Sequence, residues 1–138
     1  MKWIKLNEEA VIPERKTENS AGYDFVAGET VQIPPLHAAI VPTHITFEGM
    51  EPDQFLMITL RSSVSVKRPL LMANGVGIVD SDYAGNDIGV ILFNRSVSVP
   101  VTIDKGERIA QGILLKYGKT EEKKVTRKRS GGFGSTGN

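Results

Sequence analysis

Gly75-Val76-Gly77-Ile78-Val79-Asp80-Ser81-Asp82-Tyr83-Ala84-Gly85-Asn86-Asp87-Ile88-Gly89-Val90-Ile91-Leu92-Phe93 reads as two apolar runs separated by a polar mouth. Branched side chains favour extended backbone, and Gly, Asn and Asp between them supply turn conformations. The pattern predicts a β-hairpin with strands Gly75 to Val79 and Ile88 to Phe93. The first strand ends on the carboxylate of Asp80, with Asp82 and Tyr83 directly after it.

Short extended runs recur on both sides of that stretch. Thr30 to Ile33, Ala38 to Val41, Gln54 to Leu60 and Val97 to Ile103 are rich in apolar and β-branched residues, and the last alternates. Prolines at 13, 34, 35, 42, 52, 69 and 100 cut the chain into pieces too short for ordinary helices. Glu107 to Tyr117 is the one segment long enough for a helix, but Gly112 within it and Gly118 after it favour a strand. Many short strands at regular spacing predict an all-β barrel or sandwich.

Composition sets outer bounds. The chain has 138 residues, enough for a single domain with a sizeable core. Lys and Arg number 17 against 16 Asp and Glu, so no strong field points to nucleic acid or a membrane surface as a stable partner. There is no cysteine, which excludes disulfides, thiol nucleophiles and zinc–thiolate sites. The N-terminus lacks a signal-peptide core and no run reaches membrane-spanning length, so a cytoplasmic location is expected.

A polar mouth of this kind offers bare backbone donors and acceptors, one positioned carboxylate and one flat ring. Those are parts that can read a nucleobase and activate a water beside it. Other groups suit an anionic ligand. Arg61-Ser62-Ser63 follows a strand and offers a guanidinium fork and two hydroxyls. Gln111, in Gly106-Glu107-Arg108-Ile109-Ala110-Gln111, adds a neutral amide. Asp24, in Ser20-Ala21-Gly22-Tyr23-Asp24, is compatible with a turn-capping acid or with a group beside a metal–phosphate complex. His37 and His44 stand in no metal-binding pattern and are read as strand residues. No Gly-x-Ser-x-Gly elbow and no Walker A loop occurs.

The C-terminus changes character. Glu121 to Arg129 is densely charged, and Ser130 to Asn138 holds four glycines around Phe133. Such a segment buries too little apolar surface to order itself. It reads as a frayed tail or as an arm that orders over a bound anion. For the arm, glycine amides approach phosphate oxygens, Arg127, Lys128 and Arg129 supply charge, and Phe133 supplies a stacking face.

Taken in order, Ser20–Asp24, Arg61–Ser63, Gly77–Tyr83, Gly106–Gln111 and Gly131–Gly137 resemble the five motifs of the trimeric deoxyuridine triphosphatases (dUTPases). Five motifs in order over residues 20–137 are far more specific than any one. The resemblance implies a jelly-roll-like β-barrel over residues 1–120 and a flexible glycine-rich arm over 121–138 that closes over a neighbouring subunit's site. It implies a homotrimer with interface active sites and Mg²⁺-dependent hydrolysis of dUTP to dUMP and pyrophosphate. That reaction keeps uracil out of DNA and supplies dUMP for thymidylate synthesis.

By the same resemblance, Asp80 activates the water that attacks the α-phosphorus. Arg61, Ser62, Ser63 and Gln111 bind phosphates. Asn74 and the backbone about Gly77 and Val79 read uracil, and Tyr83 packs under deoxyribose. From the arm, Phe133 closes over the base, with Gly134 and Ser135 beside it. Mg²⁺ is expected to be held by phosphates and water, with no direct protein ligand and Asp24 nearby. Lys128 stands where the family commonly has an arginine, and Arg129 is taken as the γ-phosphate contact in its place. The nearest rival is a deoxycytidine triphosphate deaminase on the same barrel, which needs a positioned glutamate that no motif here supplies. A binding or regulatory module that contacts another protein is the rival of a different class, and no residue marks such a partner.

Overall fold

The computed structural model describes residues 1–121 together with Thr126 and Gly132. Eleven strands follow in chain order: β1 (Lys2–Lys5), β2 (Tyr23–Val26), β3 (Val31–Ile33), β4 (Ala38–Val41), β5 (Ile45–Glu48), β6 (Gln54–Leu60), β7 (Leu70–Met72), β8 (Gly77–Asp80), β9 (Val90–Asn94), β10 (Val101–Ile103) and β11 (Arg108–Lys116). They form antiparallel ladders in the orders β2-β11-β6-β8, β4-β9-β7, β1-β5 and β10-β3. Sequence neighbours mostly lie in different ladders, the mark of a jelly-roll-like all-β fold.

Alternation along β6 explains where the core sits. Leu56 and Ile58 are buried, so Phe55, Met57 and Thr59 point to the opposite face. Leu56 and Ile58 share one apolar cluster with Phe25 from β2 and, from other elements, Phe47, Leu70, Leu92 and Ile103. Trp3 closes one side by meeting Phe25 edge-on at 5.4 Å. Asn94 is buried among these residues without cost, because its amide donates to the carbonyls of Ile33 and Val99 at 3.0 and 2.8 Å.

The segment Glu107 to Tyr117 forms a strand, β11, as expected, and Gly112 is the reason it fits. A Cβ at Gly112 would stand 2.7 Å from the Phe25 ring and 3.1 Å from both Ile58 and Leu56. The glycine that weakens a helix reading here admits the core ring beneath the strand.

Several expectations need correcting. The Gly75–Val79 and Ile88–Phe93 runs do not form a hairpin. β8 pairs with β6, whereas β9 pairs with β4 and β7. The segment between them holds a 3-10 turn at Ser81–Tyr83 and is then captured by the opposite layer. The Thr43 hydroxyl donates to the Ile88 carbonyl at 2.8 Å, and the Gly85 amide donates to the Thr46 hydroxyl at 2.9 Å. Val97 to Ile103 is extended in a ladder only from Val101, since the Asn94 side chain and Ser96 hold the preceding turn.

Residues Ser62–Lys67 form a short helix, α1, that the strand-like valines concealed. Val64 anchors it to the core, and Arg68 leaves helical geometry directly before Pro69. Neither histidine is a strand residue. His37 binds the Pro35 carbonyl within a turn, and His44 takes a left-handed backbone at φ 56° between β4 and β5.

Replacing Gly112 by valine would force Phe25, Leu56 and Ile58 apart. The expected loss is about 1–3 kcal/mol of unfolding free energy, as overpacking of a filled core costs. Urea unfolding measures it, and an unchanged midpoint would show that the core repacks freely there.

Candidate active site

Two cavities lie at opposite corners of the β2-β11-β6-β8 sheet, and they share no lining residue. The first, about 150 Å³, is lined by Asn74, Gly77, Val79, Asp80, Tyr83 and Ile88, among others. It sits where the chain crosses twice between sheets, through the β7–β8 turn and through residues 81–89. Its size is below the range of about 300–1,000 Å³ that drug-sized ligands occupy, so it suits one ring rather than a whole nucleotide.

Each wall has a local cause. Gly75 takes φ +70°, which lets its amide turn back onto the Met72 carbonyl at 3.0 Å and puts Asn74 at the tip. Tyr83 is fixed by its hydroxyl, which donates to the Asp87 carbonyl at 3.0 Å. Asp87 is itself held by the Thr43 amide and by His44, whose Nδ1 lies 3.3 Å from its carboxylate. Gly132 packs on the outer side of the Tyr83 ring, where a Cβ would come within 2.5 Å of Cε2. Of the arm residues proposed for the site, Arg129, Phe133, Gly134 and Ser135 lie outside the described residues.

Among the described residues β8 is an edge strand, whose one ladder partner is β6. An edge strand presents backbone N–H and C=O groups along its open side. Here that side borders the small cavity through Gly77, Ile78 and Val79.

The second cavity, about 530 Å³, brings together Arg61, Ser62, Ser63 and Gln111 with Lys16, Ser20, Gly22, Asp24 and Arg108. Three separated segments converge on it, residues 16–24, 61–63 and 108–113. The Arg61 amide donates to the Ile109 carbonyl at 3.1 Å, tying the end of β6 to β11. Gln111 and Asp24 are cross-strand neighbours, and Gly22 makes room for Gln111, whose Oε1 would lie 2.8 Å from a Cβ there.

Asp24 is the anchor of this cavity. Its two oxygens meet Arg61 Nε at 3.2 Å and Arg108 Nη1 at 3.1 Å. Its carboxylate holds two guanidiniums side by side rather than capping a turn. Arg108 is the residue that motif reading overlooked. It sits three positions before Gln111, and the β-bulge between Arg108 and Ala110 lets both reach the same cavity.

Comparison with known proteins agrees with this arrangement of motifs. The family model described as dUTPase matches residues 8–137. The chain belongs to the dUTPase family. The deoxyuridine 5'-triphosphate nucleotidohydrolase of Crocosphaera subtropica is 38% identical and covers 99% of this chain and 98% of its own. The Lactococcus lactis protein of the same name is 36% identical over 91% and 87%. Among solved structures, the Streptococcus mutans dUTPase matches with TM-score 0.80 and 27% identity, covering 88% of this chain and 100% of its own. The dUTPase of Staphylococcus bacteriophage 80alpha, solved with dUpNHpp, matches with TM-score 0.80 and 27% identity over 99% and 98%.

The Asp24 clamp has a testable consequence within this dUTPase. Asp24→Ala leaves two facing guanidiniums without their shared counter-charge. The expected loss is about 1–3 kcal/mol of stability, discounted because Arg108 is half-exposed. Chemical unfolding checks it, and a wild-type midpoint would show that the pairs contribute nothing.

Proposed function

We infer that this protein hydrolyses dUTP to dUMP and pyrophosphate in sites that two or more copies of the chain build together, as a homotrimer. The observation that carries the reading is the separation of the two cavities on one sheet. Asp80 pairs with Phe55 and Gln111 with Thr59, four positions apart along β6. That offset is about 13 Å along the strand, with about 10 Å more across two strand spacings. Between them the outer face carries the apolar rows Ile113–Met57–Ile78 and Leu115–Phe55. No single triphosphate meets both corners of one chain within hydrogen-bonding reach, so the missing half comes from a neighbour.

The surface supports a ring. Ile78 on the outer face of β8 is 57% exposed, and on the other sheet Ile40 and Leu71 are 48% and 45% exposed. Two different apolar patches suit head-to-tail contacts, which close into rings, better than a two-fold contact of one patch with itself.

In the proposed site the small cavity takes uracil and deoxyribose. The open edge of β8 about Gly77 and Val79, with Asn74 at the turn, meets the acceptor–donor–acceptor edge of uracil. Cytosine would leave those backbone groups unpaired, a mismatch that can reach ~10⁴–10⁵ in specificity. Tyr83, held flat by Asp87, packs under deoxyribose and leaves no room for a 2′-hydroxyl. The 5-methyl of thymine meets the β7–β8 turn.

The triphosphate lies along Arg61, Ser62, Ser63 and Gln111 of the neighbouring copy, with Arg108 beside them. Asp80 holds a water in line with the α-phosphorus and takes its proton as the oxygen attacks, while pyrophosphate departs. The phosphate cavity is lined by three cationic side chains against Asp24 alone, so it repels a bare divalent cation and accepts one only with the triphosphate present. Among the described residues no cluster of three carboxylates or histidines could hold a metal by itself. Mg²⁺ bound to the phosphates would neutralise their charge. The glycine-rich arm of a neighbouring copy closes the site, with Phe133 over the base and Arg129 at the γ-phosphate.

Two outcomes test this reading. Asp80→Asn lowers the rate of pyrophosphate release by ~10²–10⁴-fold while dUTP binding largely survives; a wild-type rate would remove Asp80 from its role. Truncation before Arg127 leaves a folded trimer by light scattering that hydrolyses dUTP poorly. Full activity of that trimer would exclude a closing arm.

A further inference from the structure

Lys16 is a cation of the phosphate cavity that none of the five motifs contains. It lines the same space as Arg61, Arg108 and Gln111. The loop that carries it is braced from both ends. The Asp24 amide donates to the Glu14 carbonyl at 3.0 Å, fixing one end to β2. The Thr17 amide and hydroxyl engage the Ser20 hydroxyl, the second at 2.7 Å. Arg15 spends its guanidinium on the backbone carbonyls of Glu18 and Ser20. The backbone position of Lys16 at the cavity edge is therefore set before any ligand arrives.

The three cations of the cavity differ in how they are held. Arg61 and Arg108 share Asp24, whose side chain is only 12% exposed, so their geometry is fixed. Lys16 instead pairs with Glu14, whose side chain is 65% exposed and does not line the cavity. An exposed ion pair contributes little and exchanges readily, and an ammonium on a flexible stem can follow a phosphate oxygen.

We propose that Lys16 is a further substrate-binding residue of this dUTPase, leaving Glu14 to contact a terminal phosphate oxygen beside Arg61 and Arg108. Glu14 is then its competitor: the carboxylate holds the ammonium at the rim until a polyphosphate displaces it. The assignment rests on the dUTP reading of the site, but its chemistry needs only a polyphosphate.

The experiment pairs steady-state dUTP hydrolysis with calorimetric binding of inorganic tripolyphosphate to the full chain. Lys16→Ala should raise KM for dUTP and the Kd for tripolyphosphate by about fivefold, the upper end for an exposed pair, with kcat nearly unchanged. Lys16→Arg should restore most of both. Glu14→Gln should shift both constants the opposite way, by roughly twofold, and should do nothing in a Lys16→Ala background, because the two residues act through one contact. Wild-type constants in Lys16→Ala would overturn the assignment, as would an equal effect of Glu14→Gln with and without Lys16. If tripolyphosphate binding depends on Lys16 but dUTP is not turned over, the Lys16 contact stands and the proposed reaction falls. If dUTP is hydrolysed and Lys16→Ala changes neither constant, the Lys16 contact alone falls.

Discussion

The register of β11 against β6 is the constraint on which the rest of the molecule depends. It puts Gly112 opposite Ile58, over Phe25, and so sets the thickness of the core at that point. The same register lines up Asp24, Gln111 and Thr59 as one polar row on the opposite face. A slip by one residue would turn Gln111 into the core and Gly112 out of it. Core packing and the layout of the cavity about Arg61 and Gln111 are thus one choice, and the choice is enforced by a ring that only glycine admits.

Charge and backbone are then used differently at the two corners of that sheet. At the Arg61 corner the polar lining is made of side chains, and the largely buried carboxylate of Asp24 organises them. Asp24 keeps two guanidiniums close, where their mutual repulsion would otherwise spread them. At the other corner the cavity is bordered by the open edge of a strand, β8. The open edge of β8 and the turn at Asn74 are positioned by the two crossings between sheets. The crossing through residues 81–89 is fastened by side chains of Thr43, His44 and Thr46. Both corners stand on one sheet, four positions apart along β6 and two strands apart across it; under the proposed function that spacing is what calls for a second copy of the chain.

Much of this was legible in the sequence where local pattern decides structure. β4 and β6 fall at the expected residues, and the segment through Gly112 is a strand. Arg61, Ser62, Ser63 and Gln111 converge on one cavity, and Asn74, Gly77, Val79, Asp80 and Tyr83 on the other. What stayed hidden depends on partners distant in the chain. The apparent hairpin at Gly75–Phe93 splits between two sheets because Thr43 and Thr46 capture its connection. The valines of α1 have strand-like composition, and only the core contact of Val64 makes that turn helical. Arg108 and Lys16 are ordinary surface-type cations until β2 and β11 pair and bring them to Asp24 and Arg61.

The central claim is that the Asp80 corner and the Arg61 corner act together only between copies of the chain. Subunit complementation tests it most directly. Asp80→Asn and Arg61→Ala proteins, each inactive alone, are unfolded together in equal amounts and refolded, and dUTP hydrolysis is measured. Random reassembly places an intact Asp80 corner against an intact Arg61 corner at about one interface in four, so the account predicts recovery of roughly a quarter of wild-type activity. A refolded mixture no more active than its two components would contradict it.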